Sequence, residues 1–164
     1  MLDSESPQPH AETAMLRHYS IFLLILAFLG CSIPKIIVLE DPLTPEEHLN
    51  LGVAYEQKGE YDLAIREYES ASKRITVAYL YLGNAYFLKS EHDKAEESYR
   101  KAIRNDPGLA DAYNNLAWLL YSRKKNLDEA RSLVLKAIAL NPEGKETYLD
   151  TLKKIENCIA GNIE

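Results

Sequence analysis

Leu51-Gly52-Val53-Ala54-Tyr55 returns as Leu82-Gly83-Asn84-Ala85-Tyr86 and, altered, as Asn115-Leu116-Ala117-Trp118-Leu119-Leu120. About one helical hairpin later, each copy is followed by alanine, then a bulky residue, then alanine again. The three sets are Ala64, Tyr68, Ala71; Ala95, Tyr99, Ala102; and Ala130, Val134, Ala137. Spacings of three and four residues place each set on one face of an amphipathic helix. A single hairpin cannot bury such a stripe alone, so repeated hairpins imply a stack with a shared core.

The pattern resembles the tetratricopeptide repeat (TPR), whose form is W-x2-L-G-x2-Y, then A-x3-F, then a closing proline. Pro107 and Pro142 stand in the closing place of the second and third units. The resemblance covers roughly residues 45–158 and implies an all-α solenoid of about three and a half repeats. Units fall at 45–75, 76–109 and 110–143, with a capping helix and tail at 144–164. Helices are expected at about 45–58, 61–74, 77–89, 92–105, 110–122, 127–140 and 144–157. Gly59, Pro107-Gly108 and Asn141-Pro142 punctuate them, and Asp62, Asp93 and Asp128 lie near helix starts, where a carboxylate meets free N–H groups.

Gly52, Gly83 and Ala117 fall where the helices of each hairpin come closest, with Ala64, Ala95 and Ala130 expected to face them. Leu51, Tyr55, Tyr68, Tyr86, Tyr99, Leu116 and Leu120 supply the bulky layer, the tyrosines keeping a polar tip at the surface. Two irregularities stand out. Gly52 to Gly83 is 31 residues and Gly83 to Ala117 is 34, so the loop Ser72–Thr76 reads as three residues short. The third unit carries one extra residue in its basic turn, Arg123-Lys124-Lys125-Asn126.

Ahead of the repeats, Ile21–Leu29 is an apolar run ending in Gly30-Cys31, too short to span a bilayer but matched to a signal-peptide core. Phe28-Leu29-Gly30-Cys31 resembles the lipobox of bacterial lipoproteins, departing from it at two places. The resemblance implies lipidation of Cys31 and cleavage before it. Residues 1–14 hold Asp3, Glu5 and Glu12 and no base, whereas Met15 opens a compact signal peptide with Arg17 ahead of the core. The expected organisation is therefore an extension at 1–14, a signal peptide at 15–30, and a lipidated Cys31 with a tether to residue 44. In a host that has one, Ser32 implies the outer membrane, facing the periplasm, by the lipoprotein sorting rule. The alternative is an inner-membrane signal anchor from Tyr19 to Leu39, which would hold Pro34 and Lys35 near its middle.

The formal net charge is −6; without residues 1–30 it is −4, from 22 acids against 18 bases. A mildly acidic body argues against nucleic acid as a partner. The two cysteines, Cys31 and Cys158, leave Cys158 without an intramolecular partner once Cys31 is lipidated. His10, His18, His48 and His92 are scattered, and the sequence holds no HExxH, paired CxxC, GxSxG or phosphate-cradling glycine loop. No catalytic residue, metal site, cofactor or small-molecule substrate is expected.

The TPR resemblance places a binding surface on the first helix of each hairpin. Carried over, that groove holds Leu49, Val53 and Gln57; Leu80, Asn84, Phe87 and Leu88; and Asn114, Trp118 and Tyr121. Asn84 and Asn115 match the asparagines with which some TPR domains grip a C-terminal carboxylate. The matching basic columns hold Leu80, Glu146 and Asp150, so that mode fails. A protein partner offering a helix or an extended apolar peptide fits better. Ile36-Ile37-Val38-Leu39 either lies in or beside this groove or packs as a tether on the first helix. The expected role is a scaffold of an envelope system such as a pilus, secretion or cell-wall machine. The alternative is the non-catalytic arm of an envelope peptidase or cell-wall hydrolase.

Overall fold

The computed structural model describes residues 41–161, which form α1 (Pro45–Gln57), α2 (Tyr61–Ala71), α3 (Ala78–Leu88), α4 (His92–Asn105), α5 (Ala110–Ser122), α6 (Leu127–Leu140) and α7 (Lys145–Ile159). No strand occurs among the described residues. Residues 1–14, the signal segment 15–30, and Cys31 with the tether to residue 40 lie outside them. Every expected helix is present, and no end moves by more than three residues. The helices pair as α1/α2, α3/α4 and α5/α6, each hairpin stacking on the next, with α7 closing the array.

Local chemistry explains the boundaries. Thr44 caps α1 in a reciprocal box: Glu47 N–H donates to Thr44 Oγ1 at 3.2 Å, and Thr44 N–H donates to Glu47 Oε2 at 2.7 Å. Pro45 follows in the first turn, where its missing N–H costs nothing. Between the helices of each hairpin the chain adopts a left-handed residue, Gly59 at φ +77°, Ser90 at +61° and Lys124 at +49°. Only the first of these is glycine, so the second and third turns carry a side chain where one is disfavoured. The extra residue of the third turn is absorbed by another left-handed position, Asn126 at φ +49°.

The short first repeat is a correction to the sequence reading. The missing residues come from the two helices beside the loop: α2 has 11 residues where α4 and α6 have 14, α3 has 11 where α1 and α5 have 13, and the connection between them is two residues longer than the next one. The connection from Ser72 to Val77 is a run of turns, opened by the Ile75 N–H donating to the Ala71 carbonyl at 2.9 Å.

Packing at the hairpin centre also differs from expectation. Ala64, Ala95 and Ala130 are fully buried, but what presses on the glycines is a tyrosine ring. A Cβ added to Gly52 would lie 2.5 Å from Tyr68 Cε1, and one added to Gly83 would collide with the Tyr99 ring in the same way. In the third hairpin the equivalent positions hold Ala117 and the smaller Val134; both are fully buried in one core cluster. The Cβ gained on one helix is offset by the ring lost on the other. Two clusters make up the core, one around Ala64, Ile65, Tyr68, Leu82 and Ala85, the other running from Leu80 to Ile155. Tyr79 and Tyr86 pack against both and join them.

A column of ion pairs runs along the outside. Lys89, just past α3, reaches Asp62 at the start of α2 (2.5 Å), and Arg123, just past α5, reaches Asp93 at the start of α4 (2.8 Å). In α7 the corresponding place is held by Cys158, half-buried and free, so the column ends there. Exposed pairs of this kind contribute little each.

The Gly–Tyr contact gives a direct test. Gly83→Ala should destabilise the protein by about 1–3 kcal/mol through overpacking, and Tyr99→Val by about 2–4 kcal/mol through the cavity it leaves. The double variant, which imitates Ala117/Val134, should cost clearly less than the sum. Additive losses in urea unfolding would show that the two side chains do not share the contact.

Candidate functional site

Residues of the first helices of the three hairpins line an open cavity of about 340 Å³. Its lining is Glu56 from α1, Asn84, Phe87 and Leu88 from α3, Asn115 and Trp118 from α5, and Tyr99 rising from α4 behind them. That volume falls at the lower end of ligand-sized sites. One repeat after another contributes because equivalent helix positions recur in register along the stack.

Of the expected groove residues, Asn84, Phe87, Leu88 and Trp118 line this cavity. Leu88 is about half exposed, and Phe87 sits beside the His92 ring at 5.6 Å between centroids. Trp118 is partly buried, with Tyr121 tilted against it at 5.4 Å and the Lys154 ammonium of α7 5.0 Å above its ring. The capping helix thus covers one side of the tryptophan with a cation–π contact.

The remaining expected groove residues sit elsewhere. Leu80 is 7% exposed and belongs to the core, because its helix face turns toward α4 and α5. Leu49 and Val53 are half-buried against the first core cluster, and Gln57 is exposed at the end of α1. Tyr121 packs on the core while touching Trp118. Asn114 is buried in the position Leu80 fills one repeat earlier, and its Oδ1 has no hydrogen-bond partner.

Sequence reading missed Glu56 and Tyr99 as lining residues and weighed Asn115 only for a carboxylate grip. The tyrosines were expected to show a polar tip at the surface. Instead Tyr68 and Tyr99 are 0% and 2% exposed, and each hydroxyl crosses to the first helix of its own hairpin. Tyr68 Oη donates to Glu56 Oε2 at 3.0 Å, and Tyr99 Oη donates to Asn84 Oδ1 at 2.9 Å. Asn115 Nδ2 donates to the same Asn84 oxygen at 2.9 Å, tying α5 to α3 across the floor. Burial pushes both phenols well above the ordinary tyrosine range, and the Glu56 carboxylate adds to this. Burial also raises Glu56 above the usual carboxylate range, against the Tyr68 hydrogen bond, which lowers it.

At the far end Tyr148 Oη of α7 donates to Asp111 Oδ1 at 2.6 Å, fixing the cap on α5. Among the described residues no group of three His, Cys, Asp or Glu side chains could hold a metal ion. None of the described helices is long and apolar enough to cross a membrane.

Family models of the tetratricopeptide repeat match residues 47–76, 76–109 and 98–132, from α1 into the start of α6 and across all the residues that line the groove. The chain is a tetratricopeptide-repeat protein. Solved TPR structures superpose on it. The first TPR of Spaghetti (RPAP3) bound to the HSP90 peptide SRMEEVD has 24% identity and a TM-score of 0.66, covering 73% of this chain and 96% of that one. The TPR2B domain of yeast Sti1, in a pHsp70 complex, has 20% identity and a TM-score of 0.65, covering 69% and 96%. The Yersinia enterocolitica type III secretion translocator chaperone SycD has 24% identity and a TM-score of 0.63, covering 69% and 92%. At these identities the likeness is one of fold. No curated protein matches the sequence.

Asn114 offers a measurable consequence. A buried carbonyl without a donor costs about 1–3 kcal/mol. Asn114→Leu, which copies Leu80, should therefore raise stability by about 1 kcal/mol or more in chemical denaturation. A loss of stability would mean that the amide has a partner in solution.

Proposed function

We propose that this TPR protein is a membrane-anchored adaptor of the bacterial cell envelope, held by lipid on Cys31. Its groove binds a helix or an extended apolar peptide of a partner protein, and it performs no catalytic step. The observation that carries the binding reading is the cavity itself, where Asn84, Phe87, Leu88, Asn115 and Trp118 converge from successive first helices. Solvent-facing apolar groups beside amides are a poor choice for a surface that meets only water. TPR domains of the same fold are described in complexes with HSP90 and Hsp70 peptides, which supports a peptide as the kind of ligand.

The anchor reading rests on sequence: a short apolar core followed by Gly30-Cys31-Ser32. Several acyl chains, at about 0.8 kcal/mol per buried CH₂, hold far more firmly than one. Cys31→Ser should abolish metabolic labelling with palmitate and leave the precursor uncut. A normally processed mutant would remove the lipid anchor from the proposal.

Trp118 separates a groove from a core. Its partial burial and its contacts with Tyr121 and Lys154 make Trp118→Ala worth about 1–2 kcal/mol in stability, short of the ~3–5 kcal/mol of a core tryptophan. Crosslinked capture of the envelope partner should fall by ~30-fold or more, as for an interface hot spot. Undiminished capture by a folded Trp118→Ala protein would exclude this groove as the binding site.

A further inference from the structure

Glu56 is the unusual member of the groove. Counting along the repeats, it holds the place of Phe87 in the second hairpin and Tyr121 in the third, so a carboxylate stands where the other units put an aromatic ring. It is partly buried, accepts one hydrogen bond from Tyr68, and no basic side chain among the described residues acts on it. A carboxylate so placed has lost water without gaining a cation. A ligand that carries a cation would supply what is missing.

The middle of the groove offers complementary hydrogen-bonding groups. Asn84 Oδ1 is taken by two donors, from Tyr99 and Asn115, which leaves Asn84 Nδ2 to donate and Asn115 Oδ1 to accept. A donor beside an acceptor suits the main chain of an extended peptide. Beyond them Leu88 and Trp118 give apolar surface. A ligand ending in a carboxylate finds no cation in the matching columns, where Leu80, Glu146 and Asp150 stand.

We propose, resting on the peptide-groove reading above, that the occupant is an internal segment of a partner protein in which a lysine or arginine adjoins apolar residues. The cation sits against Glu56, the main chain runs across Asn84 and Asn115, and the apolar side chains cover Phe87, Leu88 and Trp118. Charge complementarity selects the segment, and the apolar contacts hold it.

The test uses the full-length chain in mild detergent on a synthetic array of random twelve-residue peptides with free or amidated C-termini. Trp118 is the single tryptophan of the chain, so its fluorescence reports occupation of the groove in titrations of the hits. Hits should be enriched in Lys or Arg next to apolar residues, irrespective of the C-terminus. Replacing that base by Glu in a hit should weaken binding by ~10-fold or more, and added salt should weaken it too. Glu56→Gln should nearly abolish the preference, and Glu56→Lys should reverse it, with helical content unchanged in both. Hits that shift Trp118 fluorescence without basic enrichment, or that require a free terminal carboxylate, would overturn the cation and leave the peptide groove standing. If the synthetic segment IPKIIVLE, residues 33–40, were the sole ligand, the groove would belong to this chain's own tether and the partner proposal would fall. Peptide binding that leaves Trp118 unchanged, or an array with no hits at all, would overturn both readings.

Discussion

The contact on which this structure depends is a tyrosine ring laid against a glycine. Tyr68 on Gly52, and Tyr99 on Gly83, bring the two helices of a hairpin to a separation that any Cβ would prevent. Aromatic area is buried at once, and the backbone of the first helix becomes part of the core. Repetition then does the rest, since each hairpin presents the same profile to its neighbour. The third hairpin reaches a similar fit with Ala117 and Val134. Across the repeats the two positions therefore change together, a larger residue on one helix going with a smaller one on the other.

The same rings organise the groove. Their hydroxyl groups reach across the hairpin to Glu56 and Asn84, so two polar groups of the groove are held by side chains rooted in the core. Asn115 joins the second of these and ties the third hairpin to it. A floor fixed in this way loses little freedom when a ligand arrives, which favours affinity from few contacts. In the third hairpin Val134 has no hydroxyl to offer, and Trp118 is positioned instead by Tyr121 and by Lys154 of the cap.

Much of this was legible in the sequence because repeats report the same position several times. Gly52 and Gly83, the alanine pairs and the closing prolines located every helix, and the core columns Leu116, Ala117 and Leu120 turned Trp118 toward the groove. Three features were not legible, each for a physical reason. Leu80 reads like a groove residue by column, but the neighbouring hairpins bury it, and only packing shows that. Tyr68 and Tyr99 look amphipathic, yet the acceptor for each hydroxyl lies on the other helix of the hairpin, at a distance that spacing along the chain does not encode. The three-residue deficit near Ser72 could have come from a loop or from helix ends, and the shortened end of α2 and start of α3 decided it. The capping box at Thr44 and Glu47, by contrast, was written in the sequence as T-x-x-E and could have been read there.

Anchoring part of the groove in the core has a consequence for how such a protein can diverge. Changing Glu56 or Asn84 leaves a buried phenol without its acceptor, so drift at those positions is penalised through folding before selection on binding acts. Phe87, Leu88 and Trp118 carry no such debt. Among descendants of this chain, changes would accumulate at the three apolar positions while the polar pair stayed fixed, and a lineage that replaced Glu56 by a side chain without an acceptor oxygen would gain stability by altering Tyr68 as well.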